Sequence, residues 1–183
     1  LDTIEVVDLS RHVLEHAPYF EAWNQNVLEE PRVEVYIQDG RTHLRMQPDD
    51  SYDLITLEPP PIRFAGVSSL YSREFYQLAR QKLTDDGFVT QWLPAYQVPA
   101  HINRSIIRAF VDAFPDAMLV SGAASELILI GQKSGRARID LDALNRRIAS
   151  RPGVRRDLPR IAIENPTDFI GLFAASAETL RKA

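Results

Sequence analysis

Two kinds of apolar pattern alternate along the first 135 residues. The β-branched run Thr3–Asp8 predicts a strand. Ser10 is placed to N-cap a helix through about Ala17, and Pro18 ends or bends it. Val33–Gln38 reads as a second strand, followed by Asp39-Gly40 and a short helix over Thr42–Met46. Tyr52–Leu57 is a third strand, stopped by the prolines at 59–61. Ser72 caps a helix running through Leu83, with Phe75, Leu78, Ala79 and Leu83 on one face. Gly87 then turns the chain into a strand over Phe88–Leu93. From Val98 to Phe114, Ile102, Ile106, Phe110 and Phe114 recur at helical spacing. Ala117–Val120 and Leu127–Ile130 read as a closing pair of strands.

Strand–helix alternation with short, strongly apolar strands predicts an α/β fold, a mostly parallel sheet with helices on both faces. Beyond Arg138 the pattern predicts helices only: Leu141, Leu144 and Ile148 share one face. Asn165-Pro166-Thr167-Asp168 carries the signals of a helix start. The expected division is therefore residues 1–135 as the α/β domain and 136–183 as a helical C-terminal segment.

A chain of 183 residues is long enough to bury a core. Its 21 basic and 25 acidic residues leave a net charge of −4, which argues against nucleic acid as a partner. The absence of cysteine removes disulfides, thiolate nucleophiles and Cys-based metal sites. No apolar run reaches the roughly 18 residues of a membrane span, and no signal peptide opens the chain. Neither phosphate-cradling glycine loop is present. The first residue is Leu1 rather than Met, so the chain reads as a piece of a longer polypeptide.

In doubly wound folds, ligands sit beyond the carboxyl ends of the parallel strands. Asp8, Asp39, Glu58 and Gln91 fall at those ends. An acid after the first strand can hold both hydroxyls of a ribose. Asp39 can accept from an adenine amine while Gly40 admits close approach of the ligand. Taken singly, such acids also serve as caps for the helices that follow them. Four in register point to one cleft.

The motifs Asp8-Leu9-Ser10, Glu30-Pro31-Arg32-Val33, Gln38-Asp39-Gly40-Arg41, Tyr52-Asp53-Leu54-Ile55, Leu70-Tyr71-Ser72-Arg73-Glu74-Phe75-Tyr76 and Gly87-Phe88-Val89-Thr90-Gln91 occur in the order and spacing of spermidine synthases. The run from Leu57-Glu58-Pro59-Pro60-Pro61 through Ala65-Gly66-Val67, with Gln91-Trp92-Leu93-Pro94 after it, resembles more closely the bacterial spermidine-synthase-like domains often fused to membrane-spanning segments. The resemblance covers about residues 3–135. It implies a Rossmann-like fold of methyltransferase type and a transferase that passes an aminopropyl group from decarboxylated S-adenosylmethionine, the co-substrate, to a diamine. No tightly bound cofactor is implied. The partners implied are an amine and a sulfonium nucleoside, with room for a homo-oligomer. The domain would be cytoplasmic, in a parent protein that is membrane-associated if it carries such a segment. Residue by residue, Asp8 would bind the ribose and Asp39, with Gly40, the adenine. Glu58 stands where the family has its catalytic Asp, and Gln91 where a glutamine lines the amine channel.

The chain also departs from the family. The Asp-Ser-Ser-Asp-Pro loop is replaced by Glu58-Pro59-Pro60-Pro61, so the second acid is gone. The Tyr-Pro-Ser-Gly stretch is Ala123-Ala124-Ser125-Glu126. The family's first strand and glycine-rich loop would precede Leu1. That strand belongs between Thr3–Asp8 and Tyr52–Leu57, and an empty slot there would strand unpaired backbone groups. Three outcomes are expected: the two strands close on each other, another chain or segment fills the slot, or the nucleoside pocket collapses. Closure or filling is preferred because either restores the ladder.

Three further features compete for a function. His12-Val13-Leu14-Glu15-His16 matches the inverted zinc-protease pattern H-x-x-E-H. Glu58-Pro59-Pro60-Pro61 partly matches the [DNS]-P-P-[YF] loop of amino-methyltransferases. Arg146, Arg147, Arg151, Arg155, Arg156 and Arg160 face one acid, Asp157, within their span and could meet an anionic surface or form a solvated face. A module that keeps the fold for assembly or ligand sensing, without catalysis, is the alternative from another class.

Overall fold

The computed structural model describes residues 2–60, 62–122, 126–134 and 140–182. The chain divides into two compact units, Leu1–Pro48 and Asp49–Ala183.

In the first unit, β1 (Ile4–Asp8) and β2 (Val33–Ile37) pair in parallel, with Asp8 opposite Ile37. Between them run α1 (Arg11–Glu15), a 3₁₀ turn with Pro18 in its first turn, and α2 (Glu21–Asn24). Ser10 takes the N-cap position of α1 without a side-chain bond to it. α3 (Gly40–Met46) is capped by Asp39. Among the described residues of this unit, Leu44 is the one buried apolar side chain, and His43 beside it is buried too. Burial of an imidazole needs polar partners. His43 finds the Glu5 carboxylate at 2.8 Å and the Gln38 amide at 3.3 Å.

The second unit is a five-stranded mixed sheet in the order β3-β4-β6-β5-β7, flanked by helices. β3 (Tyr52–Leu57) runs parallel to β4 (Leu83–Leu93), with Leu57 opposite Gln91. β6 (Leu127–Gln132), β5 (Met118–Ser121) and β7 (Phe173–Ser176) add antiparallel pairings. α4 (Arg73–Lys82) is capped by Ser72, whose hydroxyl accepts from the Phe75 amide at 3.2 Å, and it packs against α5 (Ala100–Ala113). Phe75, Tyr76 and Ala79 on α4 and Ile106, Phe110 and Val111 on α5 are buried, with Tyr76 edge-on to Phe110 at 5.0 Å. Two helices of the expected period thus bury their expected faces. The tail adds α6 (Leu141–Ala149), capped by Asp140, then α7 (Pro152–Asp157), α8 (Asp168–Gly171) and α9 (Ala177–Lys182).

Three details differ from the sequence pattern. β4 begins at Leu83, where a helix end was expected, because Leu83 pairs with Tyr52 ahead of a register shift. Gly87 serves that irregularity: a Cβ there would come within 2.8 Å of the Tyr52 carbonyl and 2.9 Å of the Thr84 carbonyl. The tail contributes a strand, β7, on the edge of β5, where helices only were expected. Finally, β1 and β3 do not pair; among the described residues each has a single strand neighbour, β2 and β4 respectively.

At the amino end of β3 the Lys82 ammonium, itself buried, donates to Asp49 at 2.7 Å, and the Gln81 amide donates at 2.8 Å. These two bonds, Lys82 first, hold the Asp49 carboxyl below the usual carboxylate range. A depressed carboxylate contributes stability above its unfolded value, near 3.8, and that contribution is lost as pH falls through the folded value. The urea midpoint should therefore fall between pH 5 and 2 less steeply in Asp49→Asn than in the wild type. Identical slopes would detach Asp49 from acid stability.

Candidate active site

In the first unit, the carboxyl ends of β1 and β2 bring Asp8 and Asp39 onto neighbouring strands. The Gln38 amide donates to the Asp8 carbonyl at 3.1 Å, which ties the two strand ends together. Each acid uses Oδ1 on a local backbone donor: Asp8 accepts from Ser10 at 2.6 Å and Asp39 from Thr42 at 2.8 Å. The capping role is thus present at both positions, and Oδ2 of each carboxylate has acceptor capacity left. A Cβ at Gly40 would meet no atom within 4 Å, so the space beside Asp39 is open.

In the second unit, Glu58 follows β3, and its parallel neighbour β4 carries Gln91. The two differ sharply in surroundings. Glu58 is exposed, and among the described residues no hydrogen bond or ion pair engages its carboxylate. A structural duty on backbone donors of the proline loop is therefore not what it performs. The loop is held instead by Tyr71, a buried phenol that donates to the Pro59 carbonyl at 3.1 Å and reaches the Pro60 carbonyl at 3.4 Å. Burial pushes the Tyr71 hydroxyl up to about 12, with the Glu58 charge adding to the shift, so it stays a donor throughout the physiological range. Tyr71 belongs to the Leu70–Tyr76 motif, yet sequence spacing alone does not reveal that it anchors the Glu58 loop.

Gln91 is fully buried. Its Oε1 accepts from the Tyr76 hydroxyl at 3.3 Å, and its Nε2 donates to the Trp92 carbonyl at 2.7 Å. Burial also raises the Tyr76 hydroxyl well above the ordinary tyrosine value, with Tyr71 contributing. Both ends of the Gln91 amide are thus engaged inside the protein. Its alternation partners Val89 and Leu93 are buried as well, so this is the inward register of β4.

His12 meets Glu15 at 3.3 Å on an exposed turn, His16 bonds the His12 carbonyl at 2.6 Å, and no metal-holding cluster of three His, Cys, Asp or Glu occurs among the described residues. The six arginines of the tail are exposed, with Asp157 at 3.8 Å from Arg156 and 3.9 Å from Arg160, the spacing of loose solvated pairs. No helix among the described residues is long and apolar enough to cross a membrane. Of the Ala123-Ala124-Ser125-Glu126 stretch, only Glu126 lies within the described residues.

Residues 1–124 match the spermine/spermidine synthase domain. The chain belongs to that family. Similar relatives include a polyamine aminopropyltransferase of Pyrobaculum calidifontis, 34% identical over 103 residues, 54% of this chain and 36% of the relative. Another, from Saccharolobus islandicus, is 31% identical over 154 residues, 80% of this chain and 50% of the relative. The chain thus spans half or less of the length of these two relatives. Among solved structures, a spermidine synthase in complex with the transition-state analogue AdoDATO has a TM-score of 0.73 at 17% identity, over 100% of this chain and 61% of that one. The Rossmann-like architecture is therefore that of spermidine synthases.

Proposed function

We propose that this chain carries out aminopropyl transfer from decarboxylated S-adenosylmethionine to a diamine, as part of polyamine synthesis. The observation that carries the reading is Glu58: an exposed carboxylate with no hydrogen-bond or ion-pair partner among the described residues, on a loop anchored at two carbonyls by Tyr71. The polyamine aminopropyltransferases among its relatives and the AdoDATO complex of a spermidine synthase with this fold support the same chemistry.

In this reading Asp8 holds the ribose hydroxyls through its free oxygen, and Asp39 accepts from the adenine amine beside the open space at Gly40. Glu58 takes a proton from the acceptor ammonium. The freed nitrogen lone pair attacks the aminopropyl carbon bonded to the sulfonium. That carbon–sulfur bond breaks, and its electron pair returns to sulfur, leaving methylthioadenosine as a neutral thioether. The proton passes from Glu58 to solvent. Gln91 acts as a positioning residue, through Tyr76 and the Trp92 carbonyl, behind the end of β4.

The test is product analysis with purified protein, decarboxylated S-adenosylmethionine and 1,4-diaminobutane. Methylthioadenosine and a triamine should form in equal amounts. Release of S-adenosylhomocysteine from S-adenosylmethionine instead would replace this reading by methyl transfer. Binding of the nucleoside with no product at all would leave a ligand-sensing module.

A further inference from the structure

The Leu1–Pro48 unit seats α3 on its strands with one buried apolar side chain among the described residues, Leu44. Apolar packing is non-directional, so a lone leucine does not fix the angle of a helix. A directed contact lies beside it. The His43 side chain, 5% exposed, donates through Nε2–H to the Glu5 carboxylate of β1 at 2.8 Å. The Gln47 amide lies 3.2 Å from the same nitrogen. The other ring nitrogen is 3.3 Å from the Gln38 amide oxygen, in the residue just before Asp39. The backbone carries the connection further: the His43 N–H donates to the Asp39 carbonyl at 2.9 Å. Glu5 stands three residues before Asp8 on the same strand. At the strand ends the Gln38 N–H holds the Asp8 carbonyl, a tie about which α3 could still pivot. The Glu5–His43 bond adds a second tie, roughly 10 Å back along β1 at about 3.3 Å per residue. Two separated ties fix an angle as well as a distance.

We infer that Glu5 and His43 are positioning residues for the nucleoside, which set the Asp39 carboxylate relative to Asp8 and so make the adenine amine a requirement for tight binding. This role rests on the nucleoside contacts proposed for Asp8 and Asp39; the Glu5–His43 bond between β1 and α3 stands without them. Neither residue touches the ligand in this role. A hydrogen bond from an amine to a carboxylate is charge-assisted, and it weakens steeply as its angle closes. A small turn of α3 therefore costs the adenine amine its acceptor, while the ribose hydroxyls keep Asp8. Recognition of the base depends on the pair, and affinity for the ribose does not.

Calorimetric titration with methylthioadenosine, and with its analogue carrying hydrogen in place of the 6-amine, reads that property directly. The wild type should prefer methylthioadenosine by at least about 10-fold, the worth of one hydrogen bond to a charged group. Glu5→Leu, which takes the acceptor away from His43, should lower this preference about 5- to 10-fold. Glu5→Gln, which keeps an oxygen for the imidazole N–H, should stay within about threefold of the wild type. His43→Phe keeps a ring of similar volume without its nitrogens. It should match Glu5→Leu, and it serves if that variant does not fold. A pair that only stabilises the fold would lower the melting temperature in both variants and leave the preference intact, which overturns the role. Equal losses in Glu5→Gln and Glu5→Leu overturn it too, because the bond would not be the cause. Asp39→Asn keeps an oxygen for the helix cap and turns the other acceptor into a donor. A preference that survives Asp39→Asn removes Asp39 from the nucleoside site, and the positioning role falls with it. A preference abolished by Asp39→Asn but intact in Glu5→Leu and His43→Phe sinks the positioning role alone.

Discussion

Replacing Glu58 by Gln should lower turnover by about 10²- to 10⁴-fold, the range of a lost general base. An alkylamine with a lysine-like pKa near 10.4 is almost wholly protonated at neutral pH, a deficit of roughly 4–5 kcal/mol for a nucleophile. An amide cannot accept that proton, although it can still bond the amine. The substitution is clean because Glu58 has no hydrogen-bond or ion-pair partner to lose among the described residues, so the thermal midpoint should stay within a degree or two. Binding of decarboxylated S-adenosylmethionine should also be unchanged, since Asp8 and Asp39 are untouched. Steady-state kinetics with nucleoside titration measure all three. Wild-type turnover in the variant would remove Glu58 from the mechanism.

Gly131→Ala should strongly destabilise the sheet. A Cβ at Gly131 would lie 2.5 Å from Phe114 Cγ and 2.8 Å from its Cβ, and Phe114 is fully buried. These are atoms near the root of a ring already packed at 5.1 Å against Phe110, so the ring has no free end to swing away. Overpacking of this kind costs about 3 kcal/mol, at the upper end of the usual range. The urea midpoint should fall with the slope unchanged. Phe114→Leu alone should also destabilise, but combined with Gly131→Ala it should cost less than the sum, because the smaller side chain makes room for the methyl. Strict additivity would show that the two positions do not press on each other.

The parts of the fold legible in the sequence are those set by local periodicity. α4 and α5 carry their apolar faces at helical spacing, and Ser72 caps α4 as its position predicts. What escaped was decided by pairing. β7 is a strand because the edge of β5 was available to Phe173–Ser176, and four small or aromatic residues carry no strand signal by themselves. β4 starts early because Tyr52 pairs with Leu83, a contact between residues far apart in the chain. The acids at strand ends were readable because topology dictates where such ends fall. Gln91 was readable only as a position. Its burial follows from strand alternation with Val89 and Leu93, a signal present in the sequence but outweighed by its polarity. Tyr71 holds its loop through a partner 12 residues away, Pro59, which no local pattern encodes.

The anchoring of the Glu58 loop bears on when order is acquired. Pro59 and Pro60 have fixed φ angles and no N–H, and their carbonyls are taken up by one phenol. Fixing the backbone of an ordinary residue costs about 1–2 kcal/mol of conformational entropy, and prolines bring less freedom to lose. That loss is incurred when the chain folds, not when an amine arrives. In the aminopropyl-transfer reading proposed above, the incoming substrate would have only the side-chain torsions of Glu58 to settle, and the base would be aimed by rotation about bonds rather than by closure of a loop.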